Sequence, residues 1–210
     1  MAHSKISICN LALAALGADP IRAFDENNKR ARMCDVFYDM SRDLLLAKFD
    51  WPFARVYASL NQVDTTSMTV PDNQYVWQLP VDCMTPRTIQ QLGSKDRWRV
   101  MGDKIYCDLS DEVYLYYTKK ITNPSLFTDT YVALLTLRLA VSMGPAITSD
   151  KKLVELLQTQ YSIAQAESWE SDANIGNDYR AYDEDPENDT FVSADGYVNP
   201  DPNAGRTWPS

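Results

Sequence analysis

The chain is poor in the residues on which most catalytic and nucleotide-binding motifs are built. It has one histidine, His3, and only seven glycines among 210 residues. The glycines are widely separated, so neither a phosphate-cradling loop nor a nucleophile elbow can be found. A single histidine also leaves histidine-based acid–base catalysis and a His-containing zinc site without a plausible donor set.

The cysteine pattern gives no sign of a disulfide framework. The four cysteines lie far apart and form no C-x-x-C pair (Cys9, Cys34, Cys83 and Cys107). We therefore predict free, mostly buried thiols in a reducing compartment. The N-terminus lacks the charged-then-apolar pattern of a signal peptide. The longest apolar run, residues 131–143, is interrupted by Thr136, Arg138 and Ser142 and falls short of a membrane span. We expect a protein that is cytosolic when made and has no membrane partner.

Charge is distributed very unevenly along the chain. Residues 167–210 contain eleven acidic and two basic residues, whereas residues 1–166 contain eighteen of each, so the whole net charge of −9 lies in the C-terminal segment. An acidic, proline-containing segment cannot build a core of its own, and its spaced aromatics are typical of anchors for a neighbouring surface. We predict an extended partner-binding arm over residues 171–210, with these anchors: Tyr179, Tyr182, Phe191, Val192, Tyr197 and Trp208.

Hydrophobic periodicity predicts an α+β protein with two N-terminal helices, an inserted β region and two C-terminal helices. Helices are expected over 4–17 and about 25–49, and again after Asn123 and after Ser149, where each of these two residues would act as the cap. Short runs of period two between them predict an antiparallel sheet or small β-sandwich. The predicted organisation is a helical bundle of residues 1–54 and 123–170, a β region of 55–122 and the arm of 171–210.

Three details of the helices can be checked directly. The second helix is expected to bury one apolar stripe, consisting of Met33, Val36, Phe37, Met40, Leu44 and Ala47. Gly144-Pro145 is expected to break or kink the third helix. The fourth helix is expected to fade near Trp169.

No motif for catalysis, cofactor binding or metal binding is convincing. Carboxylate pairs such as Asp35/Asp39 and Asp39/Asp43 are common on solvated helix faces, and none lies in an obvious apolar pocket. Residues 172–178 resemble the start of a calcium loop, but the glycine is one position early and no glutamate closes the loop. Small basic groups lie in a body without net positive charge, which is unlike a DNA-reading module. We predict no catalytic, cofactor or metal site, and expect the tryptophans of the body to pack in cores.

The order of segments resembles that of the tail tubular protein A or head-to-tail adaptor (gatekeeper) family of tailed bacteriophages. The resemblance covers residues 4 to about 170 and is carried by packing and turn residues: 10–17 (NLALAALG), 42–45 (RDLL), 49–54 (FDWPFA), 79–83 (LPVDC), 114–117 (YLYY) and 134–140 (LLTLRLA). It implies a non-enzymatic structural virion protein without a cofactor, commonly present as a ring of twelve copies. It also implies a position between the portal protein and the tail nozzle, around a lumen through which DNA passes without sequence readout.

Two other classes remain open on the sequence alone. A small acidic DNA-mimic or regulatory binding protein would use the arm to imitate a phosphate backbone. A hydrolase would require one of the carboxylate pairs to be catalytic.

Overall fold

A computed structural model describes residues 3–66, 70, 74–90 and 98–180 of the chain, and describes side chains as far as residue 168 of the last helix. The described part contains four α-helices and two antiparallel sheets, which confirms the predicted α+β class. The contacts divide the chain into two units, Met1–Asp172 and Ala173–Ser210. The helical core and the β core described below both lie in the first unit.

The first two helices begin and end where capping chemistry dictates. Helix α1 (Lys5–Ala15) begins with a capping box between Ser4 and Ser7. It ends in a Schellman motif, in which Gly17 takes a φ of +68° and the amide of Ala18 donates to the carbonyl of Leu13. Helix α2 (Lys29–Lys48) begins after Asn28, whose side chain accepts from the amide of Ala31. It therefore starts later than the apolar period alone predicted.

The third helix differs from its prediction at both ends. Asn123 caps only a single 3₁₀ turn, Pro124–Leu126, and Thr128 is the cap of helix α3 (Asp129–Ile147). Helix α3 continues through Pro145, so of the break or kink predicted at Gly144-Pro145 the break is wrong. A proline removes only the one hydrogen bond that its own amide would make, and here it does so in the last turn, where few bonds remain to be lost.

The fourth helix, α4 (Lys151–Arg180), is capped by Asp150, not Ser149, because the side chain of Asp150 accepts from the amide of Leu153. Its backbone continues to Arg180, past the end expected near Trp169 and past the predicted start of the arm at residue 171. Extending an existing helix costs far less than nucleating one, so a weakening apolar period does not by itself end it.

The β region forms two sheets whose strands are short. One sheet has the order β1-β7-β4 and the other β2-β3-β6-β5, and all strand pairs are antiparallel. The strands are β1 (Arg55–Ser59), β2 (Asn61–Gln62), β3 (Tyr75–Gln78), β4 (Cys83–Ile89), β5 (Trp98–Met101), β6 (Lys104–Cys107) and β7 (Tyr114–Lys119). Gly102, with a φ of +62°, makes the tight turn between β5 and β6.

The two sheets share one hydrophobic core, as in a small β-sandwich. Buried side chains from both sheets and their connections form it: Leu60, Trp77, Ile89, Ile105, Cys107, Val113, Leu115 and Tyr117. Strand β4 lies at the edge of its sheet and contains Pro86, near which its register with β7 shifts. An edge strand tolerates a proline because one of its sides has no strand to pair with.

The helical core is centred on Tyr131 of α3. Its ring meets those of Trp51 and Phe53 edge-on at centroid distances of 5.0 and 5.1 Å, and its hydroxyl donates to the carbonyl of Arg42 at 2.9 Å. Helix α3 has 19 residues and a mean hydropathy of 1.4, so by length and composition alone it could cross a membrane. The apolar run of residues 131–143, which by itself is too short to do so, is only part of this helix. Its buried residues belong to this core, which accounts for its apolar composition.

Arg87 of β4 attaches the β region to the carboxyl end of α2. Its guanidinium donates to the carbonyls of Phe49 and Ala47 at 2.6 and 3.3 Å and to the hydroxyl of Thr118 at 2.9 Å. Thr85 of the same strand also donates to the carbonyl of Ala47. The last carbonyls of a helix have no partner within it and carry partial negative charge, so a cation is favourable here. This junction fixes the end of α2 that borders the site described next.

Candidate interaction surface

Helix α2 presents an apolar row to solvent. Val36, Met40 and Leu44 follow one another at intervals of four residues and are 62%, 48% and 47% exposed. The prediction that these residues belong to the buried stripe is therefore wrong. The core side of α2 is instead built from the following residues: Ala31, Cys34, Tyr38, Ser41, Arg42, Leu45 and Leu46. Met33, Phe37 and Ala47 are only partly buried.

The acidic row beside this apolar row is already paired within the chain. Asp35 and Asp39 lie within 3.6 Å of the Lys5 ammonium, and the nearly buried Arg42 bonds Asp39 and Asp43 at 2.7 Å each. Asp43 also meets Lys120 at 2.9 Å. The carboxylate pairs that we considered for catalysis are thus engaged with cations. Unlike the acidic row, the apolar row of α2 therefore remains available for contact with a partner.

A groove begins at the end of this row, where α2, α3 and α4 meet. It has a volume of about 330 Å³ and is lined by one residue of α4, one of α3 and four of α2: Tyr161, Arg138, Leu44, Leu45, Ala47 and Lys48. Leu44 therefore belongs both to the exposed row and to the wall of the groove. The lining combines apolar surface with two cations and contains no carboxylate.

Arg138 is held at the groove by Tyr161. Its guanidinium lies over the Tyr161 ring, 5.7 Å from the centroid, and one terminal nitrogen is 3.4 Å from the Tyr161 hydroxyl. The Nε of Arg138 is buried and has no hydrogen-bond partner. Within residues 3–66, 74–90 and 98–168, no carboxylate lies in ion-pair range of either Arg138 or Lys48. Because the guanidinium of Arg138 has no anionic partner and lies in partly apolar surroundings, it remains able to bind an anion.

The first sheet carries a tyrosine-rich face. The rings of Tyr57 and Tyr114 stack across β1 and β7 with centroids 5.3 Å apart, and Tyr57 is 49% exposed. The alternation is incomplete, because Thr118 is fully buried and accepts the hydrogen bond from Arg87. After the apolar row of α2, this tyrosine face is a second exposed surface, and it lies in the β region of the first unit.

One ion pair at the edge of the β region has a clear electrostatic signature. Asp82 accepts from the Lys119 ammonium at 2.9 Å and from the Tyr117 hydroxyl at 2.9 Å. The bond from Lys119 is the largest influence that holds the pKa of Asp82 below its ordinary value of 3.8. Burial, together with the bond to Asp82, raises the pKa of Tyr117 to about 12. Both groups are therefore kept in their ordinary charge states at neutral pH, as in a structural contact.

Three of the four thiols have a pKa above its ordinary value, whereas the hydrogen bond with Cys9 lowers the pKa of Cys34. Cys9, Cys34 and Cys107 are buried and Cys83 is half-buried, and all four are free, as predicted. The hydrogen bond with Cys34 and burial raise the pKa of Cys9, and burial raises that of Cys83 to about 11. Thiols that stay protonated are poor nucleophiles and poor metal ligands. Trp51 and Trp77 are buried in the two cores, which confirms their predicted packing role.

The predicted arm anchors lie outside the side chains that the structure describes. Tyr179 lies in the backbone of α4, and its side chain is not described; Tyr182, Phe191, Val192, Tyr197 and Trp208 lie outside the described residues. In the described part of the chain, no group of three or more His, Cys, Asp or Glu side chains is arranged to hold a metal ion. The groove was missed by sequence reasoning, since its residues come from three helices that are far apart in the chain.

Comparison with known proteins leaves the surface to be interpreted on its own geometry, because neither a protein-family profile nor a curated protein matches the chain.

Proposed function

We propose that this protein is a head-to-tail adaptor subunit of a tailed bacteriophage, a non-enzymatic protein that forms a ring between the portal and the tail nozzle around a DNA-conducting lumen. In this proposal it acts in the virion after synthesis in the host cytoplasm. The ring, commonly of twelve copies, needs no cofactor. The acidic C-terminal arm grips a neighbouring subunit or the portal.

The observation that carries the proposal is the exposed row of Val36, Met40 and Leu44. Three apolar side chains in line on one helix make a continuous strip suited to a flat protein partner. Complete burial would contribute on the order of 1.5–3 kcal/mol for each side chain. In a ring, one face of each subunit meets a different face of the next, and the same contact is repeated until the ring closes.

Two further properties fit a connector. The helical core and the β core are separate but joined at Arg87, so one end of the body can meet one partner and the other end another. Residues 1–166 carry equal numbers of acidic and basic residues, and the arm carries the excess of acid. A protein without net positive charge does not hold DNA tightly, so DNA could slide through the lumen.

The exposed row can be tested by its effect on assembly. The variant Val36→Ser/Met40→Gln/Leu44→Gln changes only exposed side chains, so its circular dichroism and thermal midpoint should stay close to those of the wild type. Mass photometry and negative-stain microscopy at rising concentration should show ring-shaped oligomers for the wild type and monomers for the variant. Lys152→Gln, an exposed change on helix α4 outside this row, is the control and should assemble normally.

The opposite result is equally clear. A wild-type chain that stays monomeric up to its solubility limit would contradict the proposal. If that monomer also competed with DNA for a basic DNA-binding protein, the acidic arm would instead support the DNA-mimic alternative.

A further inference from the structure

We infer that the groove between α2, α3 and α4 is the receptor for the acidic arm of a neighbouring copy, with Arg138 and Lys48 binding carboxylates of residues 183–189. This inference rests on the proposed function and names the surface that the arm grips. The arm's aromatic residues on either side of this acidic run, Tyr182 and Phe191, would lie against the apolar lining.

The first argument is charge complementarity. Arg138 and Lys48 are the two cations of the groove, and among the described residues neither has a carboxylate partner. The rest of the body is balanced, and the acidic excess of the chain lies in residues 167–210. The chain thus carries an unsatisfied guanidinium in one place and a surplus of carboxylates in another. An anionic peptide would give the guanidinium of Arg138, which lines the groove, the ion pair that it lacks among the described residues.

The second argument is that the groove and the arm segment each place apolar side chains beside charged ones. The groove places Leu44, Leu45 and Tyr161 beside its two cations. The arm sequence YDEDPENDTF, residues 182–191, places an aromatic residue at each end of five carboxylates. A volume of about 330 Å³ is at the low end for a ligand site, so it admits one or two side chains of an extended peptide.

The third argument is reach. Thirty residues follow Arg180, the last residue of α4. An extended chain of that length spans at most roughly 100 Å, several times the width of a small domain. The arm is therefore long enough to cross from one subunit to the groove of the next. Repetition around a ring would fill each groove with one arm.

A peptide-binding experiment on the intact protein tests this inference without requiring a ring. A fluorescein-labelled peptide with the sequence of residues 181–196 is titrated with the full-length chain at concentrations where the chain is monomeric, and binding is followed by fluorescence anisotropy. We expect saturable binding that weakens with added salt. Arg138→Glu should weaken it by about tenfold or more, because one attractive contact is replaced by a repulsive one.

Two variants keep the result interpretable. Arg32→Glu changes another cation of α2 outside the groove and should leave peptide affinity within about twofold of the wild type. If Arg138→Glu does not fold, Leu44→Asp serves in its place, because Leu44 is exposed at the groove wall and an aspartate there repels the same peptide. Circular dichroism of each variant verifies its fold.

The inference is overturned if the peptide shows no saturable binding, including the case in which the chain's own arm already fills the groove. It is also overturned if Arg138→Glu and Leu44→Asp, correctly folded, bind the peptide as the wild type does. Ring formation is measured separately, so rings without peptide binding would reject this receptor and keep the adaptor proposal. A chain that binds the peptide but forms no ring at any concentration up to its solubility limit would reject the adaptor proposal.

Discussion

At the scale of single residues, the buried Arg42 and the partly buried Arg87 hold the body together in different ways. Arg42 is satisfied by Asp39 and Asp43 of its own helix, so it adds little long-range order. Arg87 instead donates hydrogen bonds to two backbone carbonyls near the end of α2 and to a hydroxyl of β7. The guanidinium reaches these acceptors from two separate nitrogens held in one plane, whereas a lysine would have to serve them from a single nitrogen.

Arg87→Met should lower the free energy of unfolding by about 2–4 kcal/mol, since several acceptors would lose a charged donor. Arg87→Lys should recover only part of this loss. Urea denaturation measures both changes, and Arg32→Met, an exposed substitution, provides the reference and should stay within about 0.5 kcal/mol of the wild type. If Arg87→Lys matched the wild type, the forked hydrogen-bond geometry would not be what stabilises the junction.

Asp82 gives a prediction about pH. Its pKa is lowered in the folded protein from the ordinary value of 3.8, chiefly by Lys119, so the ionised form stabilises the fold. That stabilisation is fully present above 3.8 and is lost as the pH falls through the lowered folded value. Asp82→Asn keeps an oxygen to accept from Tyr117 but removes the charge.

We expect Asp82→Asn to be less stable than the wild type at neutral pH by less than about 1 kcal/mol, because the pair is partly exposed to solvent. The difference should vanish below the folded pKa of Asp82, in thermal melts recorded from neutral to acid pH. Lys119→Met should show the same loss of pH dependence in a double-mutant cycle. A difference that stays constant across the whole range would mean that the ion pair does not contribute.

At the scale of elements, α3 and α4 approach each other closely at one glycine. A Cβ atom added to Gly144 would lie 2.8 Å from a methyl group of Val154 and 3.5 Å from Leu16. The first distance is too short for two carbon atoms, and a β-branched valine on a helix has little freedom to move away. The close approach of these helices therefore depends on the missing side chain.

Gly144→Ala should destabilise the protein by about 1 kcal/mol, because a steric cost of about 1–3 kcal/mol exceeds the gain of about 1 kcal/mol in helix propensity. In a Val154→Ala background the clash disappears, and the same change should then be stabilising. Chemical denaturation of the two single variants and the double variant measures this coupling. Destabilisation of equal size in both backgrounds would contradict the proposed contact.

The elements also show how far the sequence predicts this molecule. Polar caps and turn glycines act locally, so Ser4, Gly17 and Gly102 could be assigned from the sequence. The face that α2 buries could not, since two rows of that helix satisfy the same period. The buried row includes Ser41 and Arg42, whose burial depends on partners that only the folded chain supplies.

The candidate site was less predictable than the fold, for a physical reason. The groove brings Leu44, Arg138 and Tyr161 together from three helices, and the local sequence around each residue does not predict this contact. The sequence did locate the acidic surplus of residues 167–210, because net charge is a sum that needs no geometry. The sequence thus locates the acidic segment, and the structure is needed to find the groove with its two cations.

At the scale of the whole molecule, the first unit contains two hydrophobic cores that share few contacts. Tyr131 is at the centre of the helical core, and Leu115 is fully buried in the β core. Arg87 and Thr85 cross from β4 to the end of α2, and Lys120 crosses from the end of β7 to Asp43. Whether such a body unfolds as one unit depends on the strength of these few links.

We expect the two cores of the wild type to unfold together, and Arg87→Met to separate them. In native-state hydrogen exchange at rising denaturant, the amides of Leu115 and Leu135 should converge on one opening free energy in the wild type. In the variant, Leu115 should open at least about 1 kcal/mol more easily than Leu135, because the β region, with short strands, loses its main attachment. Arg32→Met should keep the two amides together. If Arg87→Met lowered the opening free energies of both amides equally, the cores would be joined through their packing, and Arg87 could not be the link that makes them unfold together.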